Sequence, residues 1–113
     1  MIPYDPKKLI ELVGNDAELL KEVFEIFVNS HSEKIQSLRT ALEKGETKQV
    51  ADHAHHLKGD LLTLGYTPAI EVAQKIEELG LSGQTLGGAE LLSSLEESIV
   101  PILDFYKNRK ETL

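Results

Sequence analysis

The stretch "DHAHHLKGDLLTLG", residues 52–65, decides how this chain folds. With Val50 just before it, Ala54, Leu57, Leu61 and Leu64 recur at spacings of three and four, the period of an amphipathic helix. The same stretch holds His53, His55 and His56, three of the chain's four histidines. A helix does not leave them together. Taking Val50 as the core direction and advancing about 100° per residue, the apolar residues stay within about 40° of it. His55 then points about 140° away, with Gly59 and Leu62 within about 40° of it and Lys58 about 60° nearer the core. His53, His56 and Asp60 point to the opposite flank.

The helical period recurs outward from this segment, and strand signals are weak: there is no alternating run and no Asn-Gly or Asp-Gly hairpin turn. "YDPKKLIELVG" predicts a short first helix, with Asp5 as N-cap, Pro6 at the first position and Gly14 as the stop. "NDAELLKEVFEIFVNSHSEKIQSLRTALEKG" predicts one long helix, bent if anywhere at "NSHS". Asn15 or Asp16 caps it. Leu19, Val23, Ile26, Phe27, Ile35, Leu38 and Leu42 form its apolar stripe, and Gly45 terminates it. After the histidine helix, "TPAIEVAQKIEELG" predicts a fourth, with Thr67 as cap and Pro68 in the first position. Ile70, Ala73 and Ile76 line its core face, with Leu79 a further candidate, and Gly80 ends it. "LSGQTLGG" is a glycine-rich loop, and "AELLSSLEESIVPILDFYKNRKETL" is a last helix that Pro101 kinks or splits. The connections are short, so successive helices should pack antiparallel. The expected fold is all-α: an antiparallel four-helix bundle with a short additional N-terminal helix, one domain over residues 1–113.

Bulk properties narrow the function. A chain of 113 residues holds one domain. It has no cysteine, which excludes disulfides, thiolate catalysis and cysteine-built zinc sites. A net charge of −7 argues against nucleic acid as the main partner, because phosphate binding needs clustered Lys and Arg. No run approaches the roughly 18 apolar residues of a membrane span, and "MIPYDPKKL" lacks a signal-peptide core. A soluble, cytoplasmic protein without a membrane partner is expected, and a complete four-helix core favours a monomer.

Each flank of the histidine helix suggests a chemistry. His53 and His56, three apart, could place two imidazoles on one metal with Asp60 as a third ligand. There is no His-Glu-x-x-His pattern and no ligand-rich second segment, so solvated flank residues are the better reading and no metal is assigned. On the other side, Gly59 sits inside a helix, where glycine costs about 1 kcal/mol relative to alanine. It removes a side chain one turn from His55 and lets a partner approach the ring. Lys58 brings an ammonium to the same space. A neutral imidazole is a nucleophile near pH 7, and a lysine offsets charge on phosphoryl oxygens.

"AHHLKG", Ala54 to Gly59, resembles the A-H-x-L-K-G signature of histidine-containing phosphotransfer (HPt) domains. Leu64 and Gly65 fall where that family also has a Leu-Gly pair. "AIEVAQKIEELG" resembles the family's following helix, including the acidic residue and glycine near its end, and the long second helix looks like the one before the site. The resemblance runs from about residue 16 to residue 80. It implies that His55 is the phosphoacceptor, that Lys58 stabilises phosphoryl charge and that Gly59 keeps the site open. His56 takes the variable position. The chain departs from the family at Asp60 and Leu61, where two small residues are usual.

The resemblance further implies a phosphorelay intermediate without autokinase activity, and the sequence holds no Gly-rich nucleotide loop. It would accept phosphate from a phospho-aspartate on one receiver domain, of a response regulator or hybrid histidine kinase, and pass it to another. No cofactor is expected in this chain, and Mg²⁺ is expected in the partner receiver. Leu62, Leu20, Ile10 and Val13 are candidates for docking. Rival readings are a receiver-binding module that is never phosphorylated, a metal-binding bundle using His53, His56 and Asp60, and a kinase dimerisation domain. The intact His-x-Leu-Lys-Gly disfavours the first, and the absence of an attached ATPase disfavours the last.

Overall fold

The computed structural model describes residues 2–109 and Glu111. Six helices follow one another: α1 (Lys7–Val13), α2 (Ala17–Lys44), α3 (Thr47–Leu64), α4 (Thr67–Leu81), α5 (Gly88–Ser98) and α6 (Val100–Arg109). The predicted continuation of the last helix over Lys110, Thr112 and Leu113, like Met1 at the other end, lies outside the described residues.

Helices α2, α3, α4 and α5 form the four-helix bundle: α3 packs on α2 and α4, and α5 returns to touch both α4 and α2. Side-chain pairs fix the antiparallel order, with His55 facing Glu77 and Lys58 facing Gln74 across α3 and α4. The short α1 lies across α2 and α3. Helix α2 sets the length of the molecule. Its 28 residues rise about 42 Å, against a longest dimension of 43 Å.

Local signals explain most boundaries. Asp5 Oδ1 accepts from the Lys7 N–H, although Pro6 occupies the cap position. Of the two candidates before α2, Asp16 is the cap, accepting from the Leu19 N–H at 3.0 Å. At the other end Gly45 takes the left-handed conformation, φ 69°, which lets the Glu46 N–H reach the Ala41 carbonyl at 3.0 Å. Helix α2 is continuous through "NSHS", because His31 stacks on Phe27, ring centroids 5.6 Å apart, and does not break the turn. Burial lowers the pKa of His31. Pro101 splits the last helix, since α5 ends at Ser98 and α6 begins at Val100.

The cap of α1 is Pro6 and not Asp5 as expected, so the helix starts one residue later, at Lys7; four further sequence expectations need correction. Leu19 and Ile26 are 40% and 66% exposed, while Phe24 and Ala41 are buried. Ile26 lies about 100° and Leu19 about 80° around α2 from Phe27, at the margin of the stripe. The core is turned toward Phe24 by an aromatic cluster that the sequence pattern of α2 alone does not reveal. Tyr4, Phe105 and Tyr106 gather around Phe24, with Tyr4 and Phe105 each within 6 Å of it. Tyr4 also donates to the Leu64 carbonyl at 2.7 Å, and burial, aided by Asp5, pushes its hydroxyl pKa up. Third, Tyr66 rather than Thr67 takes the cap position of α4, with no side-chain bond to the helix.

The fourth correction is Gly80, which does not end α4. It lies within the last turn, and α4 runs on to Leu81. A Cβ there would sit 2.6 Å from the Ala51 nitrogen and 2.7 Å from the Thr47 carbonyl oxygen. Glycine is needed because the backbones of α3 and α4 touch. Main-chain atoms inside two helices cannot yield as a flexible side chain can. Gly80→Ala is therefore expected to destabilise the fold by about 1–3 kcal/mol, in spite of alanine's better helix propensity, as read by the midpoint of urea unfolding.

Candidate functional site

The face that the sequence singled out is present. His55 stands on the outer arc of α3 with its side chain 65% exposed. Gly59, one turn on, leaves open space, since a Cβ there would meet no atom within 4 Å. Lys58 leans toward α4, its side chain 19% exposed.

Two polar residues of α4 complete the constellation. Glu77 receives both basic side chains: the His55 Nδ1 lies 2.9 Å from its Oε2, and the Lys58 Nζ donates to its Oε1 at 2.5 Å. Lys58 also donates to the Gln74 Oε1 at 2.8 Å. The hydrogen bond from Lys58 holds the Glu77 carboxyl below the usual carboxylate range. Burial opposes this, and the contact with His55 adds to it. An ionised carboxylate can only accept, so the hydrogen of this contact belongs to the imidazole. The neutral ring therefore carries its proton on Nδ1, and the lone pair is left on Nε2. The geometry yields an accessible, tautomer-fixed imidazole beside an ammonium.

The Glu77 contact has a pH consequence. Its pKa is lowered by folding from an ordinary value of about 4.5. The stabilisation it brings is complete above that value and is lost as pH falls through the lower folded pKa. Glu77→Gln should flatten this part of the acid response. Between about pH 5 and pH 3, around the ordinary carboxylate range, the thermal midpoint of the parent chain should fall more steeply than the variant's, measured by circular dichroism. Equal slopes would show that Glu77 is not held below its normal range.

The opposite flank is separate. Asp60 is taken by Lys34 of α2, Nζ to Oδ2 2.7 Å, so its charge is already met by a cation. Among the described residues no group of three His, Asp or Glu side chains is placed to hold a metal ion. The His56 ring stands edge-on to His55 at 6.3 Å. Leu61 is fully buried, so its bulk, unusual at this point of the motif, is absorbed by the core.

The docking candidates divide. Leu62 and Ile10 are 43% and 41% exposed. Leu20 and Val13 are half-buried and pack against the core, while their neighbours Leu19 and Leu12 point outward at 40% and 63% exposure. Sequence reasoning also passed over Gln74 and Glu77 as individual residues. Their signal was register. In an antiparallel pair, His55 opposite Glu77 forces Lys58 opposite Gln74, three residues back along α4, on the polar edge of the Ala73–Ile76 stripe.

The family model of the Hpt domain matches residues 22–102, extending past the histidine motif into the start of α6. No curated protein and no solved structure matches the chain.

Proposed function

The chain belongs to the Hpt domain family, whose members carry phosphoryl groups on histidine in two-component phosphorelays, and on that premise we propose that it relays phosphate between receiver-domain aspartates through His55. The observation that carries this reading is the His55–Glu77 contact beside open Gly59: it leaves an exposed Nε2 lone pair at a point a second protein can reach. In the forward step, Nε2 attacks the phosphorus of an aspartyl phosphate in line with the departing carboxylate oxygen. The N–P bond forms, the O–P bond breaks, and the aspartate leaves as a carboxylate. No proton moves in the step, because Nε2 carries none. The ring becomes a phospho-imidazolium whose Nδ1–H remains on Glu77.

Lys58 has three ammonium hydrogens, and Gln74 and Glu77 take two. The third serves a phosphoryl oxygen. Mg²⁺ belongs to the acidic pocket of the receiver. The bundle acts as a monomeric carrier and does not phosphorylate itself from ATP. Family members meet receiver domains and histidine kinases, so docking is brief and its area modest.

The reading is tested by mixing the protein with a receiver domain charged by acetyl phosphate. Label should appear on this chain in a form that is stable to alkali and lost in acid, as an N–P bond requires. Label that survives acid, or none from any receiver, would refute the proposal.

A further inference from the structure

Phosphorylation changes the charge balance around His55. In the resting chain the ring is neutral, Lys58 is a cation and Glu77 an anion, so the charges cancel. Once Nε2 holds a phosphoryl group the ring is a cation, and its Nδ1 hydrogen can be lost: a histidine ring changes charge between about pH 5 and pH 8. The fate of that hydrogen decides the onward step. With Nδ1–H in place, the ring leaves phosphorus as neutral imidazole. Without it, the ring would have to leave as an imidazolate anion, a far poorer leaving group.

Glu77 is placed to hold the hydrogen. Its Oε2 lies 2.9 Å from Nδ1, and its Oε1 accepts from the Lys58 Nζ at 2.5 Å, which stops the carboxylate from turning away. Its side chain is only 13% exposed, so little water competes for the contact. The hydrogen bond from Lys58 keeps the carboxyl ionised, below the usual carboxylate range, and an ionised carboxylate offers no hydrogen. A bare Nδ1 would therefore set its lone pair against an oxygen lone pair at hydrogen-bond distance. The other charged groups of the neighbouring helices are turned elsewhere. On α4, Glu78 accepts from the Gln74 amide. Helix α2 presents Glu33 and Lys34 to a polar hollow on the other flank, shared with His53 and His56, and Lys34 is held there by Asp60. Helix α1 brings Lys8 against Gly65, about 15 Å along the axis from His55. On α3 itself, the His56 ring stands edge-on at 6.3 Å.

We propose that Glu77 serves the second half of the relay: it keeps the Nδ1 hydrogen on phosphorylated His55, so that transfer to the next receiver needs no proton and stays fast as pH rises through the range in which a histidine ring ordinarily discharges. The inference rests on the relay role of His55 and adds how the site keeps its phosphoryl group transferable. In this step a carboxylate oxygen of the receiver attacks phosphorus, the O–P bond forms and the N–P bond breaks. The bonding pair returns to Nε2. The ring is again neutral, with its hydrogen on Nδ1, and is ready for another cycle.

Glu77→Gln tests it. The amide matches the carboxyl in shape. It can accept from Nδ1–H through its oxygen or donate to a bare Nδ1 through its N–H₂, so the hydrogen is no longer compelled to stay. Each chain is phosphorylated by a charged receiver, separated from it and mixed with fresh, uncharged receiver at values from about pH 6 to pH 8. Rapid quench follows the loss of label from the chain. The receiver's own pH dependence is common to both chains and cancels in the ratio of their rates. The ratio of parent to variant should grow about tenfold across the range, because a ring loses about tenfold of its protonated fraction for each pH unit above its titration. A merely structural effect would slow the variant alike at every pH. A second readout needs no variant: nitrogen NMR of the phosphorylated parent at about pH 8 should show Nδ1 still bearing its hydrogen. A ratio that does not change with pH, or a bare Nδ1 in the phosphorylated parent, overturns this inference and leaves the relay reading standing. If the parent chain takes phosphate from no receiver, the relay reading falls and this inference with it.

Discussion

His55→Gln should take up no phosphoryl group at all. Glutamine keeps an N–H₂ that can donate to Glu77 across the short gap that the imidazole Nδ1 now fills, at 2.9 Å, and it sits at a site 65% exposed. The fold and its melting point should hardly change, because surface substitutions away from special features usually stay within about 0.5 kcal/mol. The amide nitrogen has no available lone pair, so the nucleophile is gone and nothing nearby replaces it. His53→Gln and His56→Gln should keep full yield. His53 faces α2 beside Lys34 and Asp60, and His56, although only 6.3 Å from His55, is not the ring that meets Glu77, and the Lys34 ammonium that shares its hollow is held by Asp60. Autoradiography of the three variants after incubation with a charged receiver decides the matter. Full-yield label on His55→Gln would move the acceptor elsewhere.

Gly59→Leu should separate stability from function in opposite directions. Apart from the helix's own backbone, nothing lies within 4 Å of a Cβ at this position, so the first atom of a side chain is accommodated without a clash. Leucine is a far better helix former than glycine, and the folded state should gain up to about 1 kcal/mol. The thermal midpoint should rise by a few degrees, as about 1 kcal/mol implies for a domain of this size. Transfer should nevertheless fall by about a hundredfold or more, because the new side chain stands where the receiver must approach the ring, and a misplacement of about 1 Å is enough for such a loss. Gly59→Ala should show the same stabilisation with a smaller loss of rate. A variant that is more stable and transfers as fast as the parent would show that the space over Gly59 is not where the partner comes in.

Periodicity was enough for the helices and for the division of the histidines, because both follow from one angle per residue. The positions of Val50, Leu57 and Leu61 at the core and of His55 outside it needed nothing more. The partner of His55 was harder to see. Glu77 is remote in sequence and becomes specific only once the register of α3 against α4 is known. The turning of the core toward Phe24 was hidden for a related reason, since it depends on Tyr4, Phe105 and Tyr106, three aromatic residues from the two ends of the chain. The continuity of α2 through its polar patch was decided by His31 packing on Phe27, a choice that hydropathy alone does not make. At Gly80 the rule that glycine ends helices gave the wrong reason for the right residue.

Gly80 lies one turn beyond Glu77 on α4, and the backbone atoms that a Cβ there would meet, at Thr47 and Ala51, lie two turns and one turn before His55 on α3. The contact works as a mechanical stop. It fixes how far the two helices can slide or separate, and so fixes the gap that the His55 proton bridges. A methyl group at position 80 would act as a shim, and opening the 2.9 Å contact by about 1 Å takes it out of hydrogen-bonding range. A residue with no functional group of its own thereby helps determine which ring nitrogen is free to react, from the buried side of the helix pair.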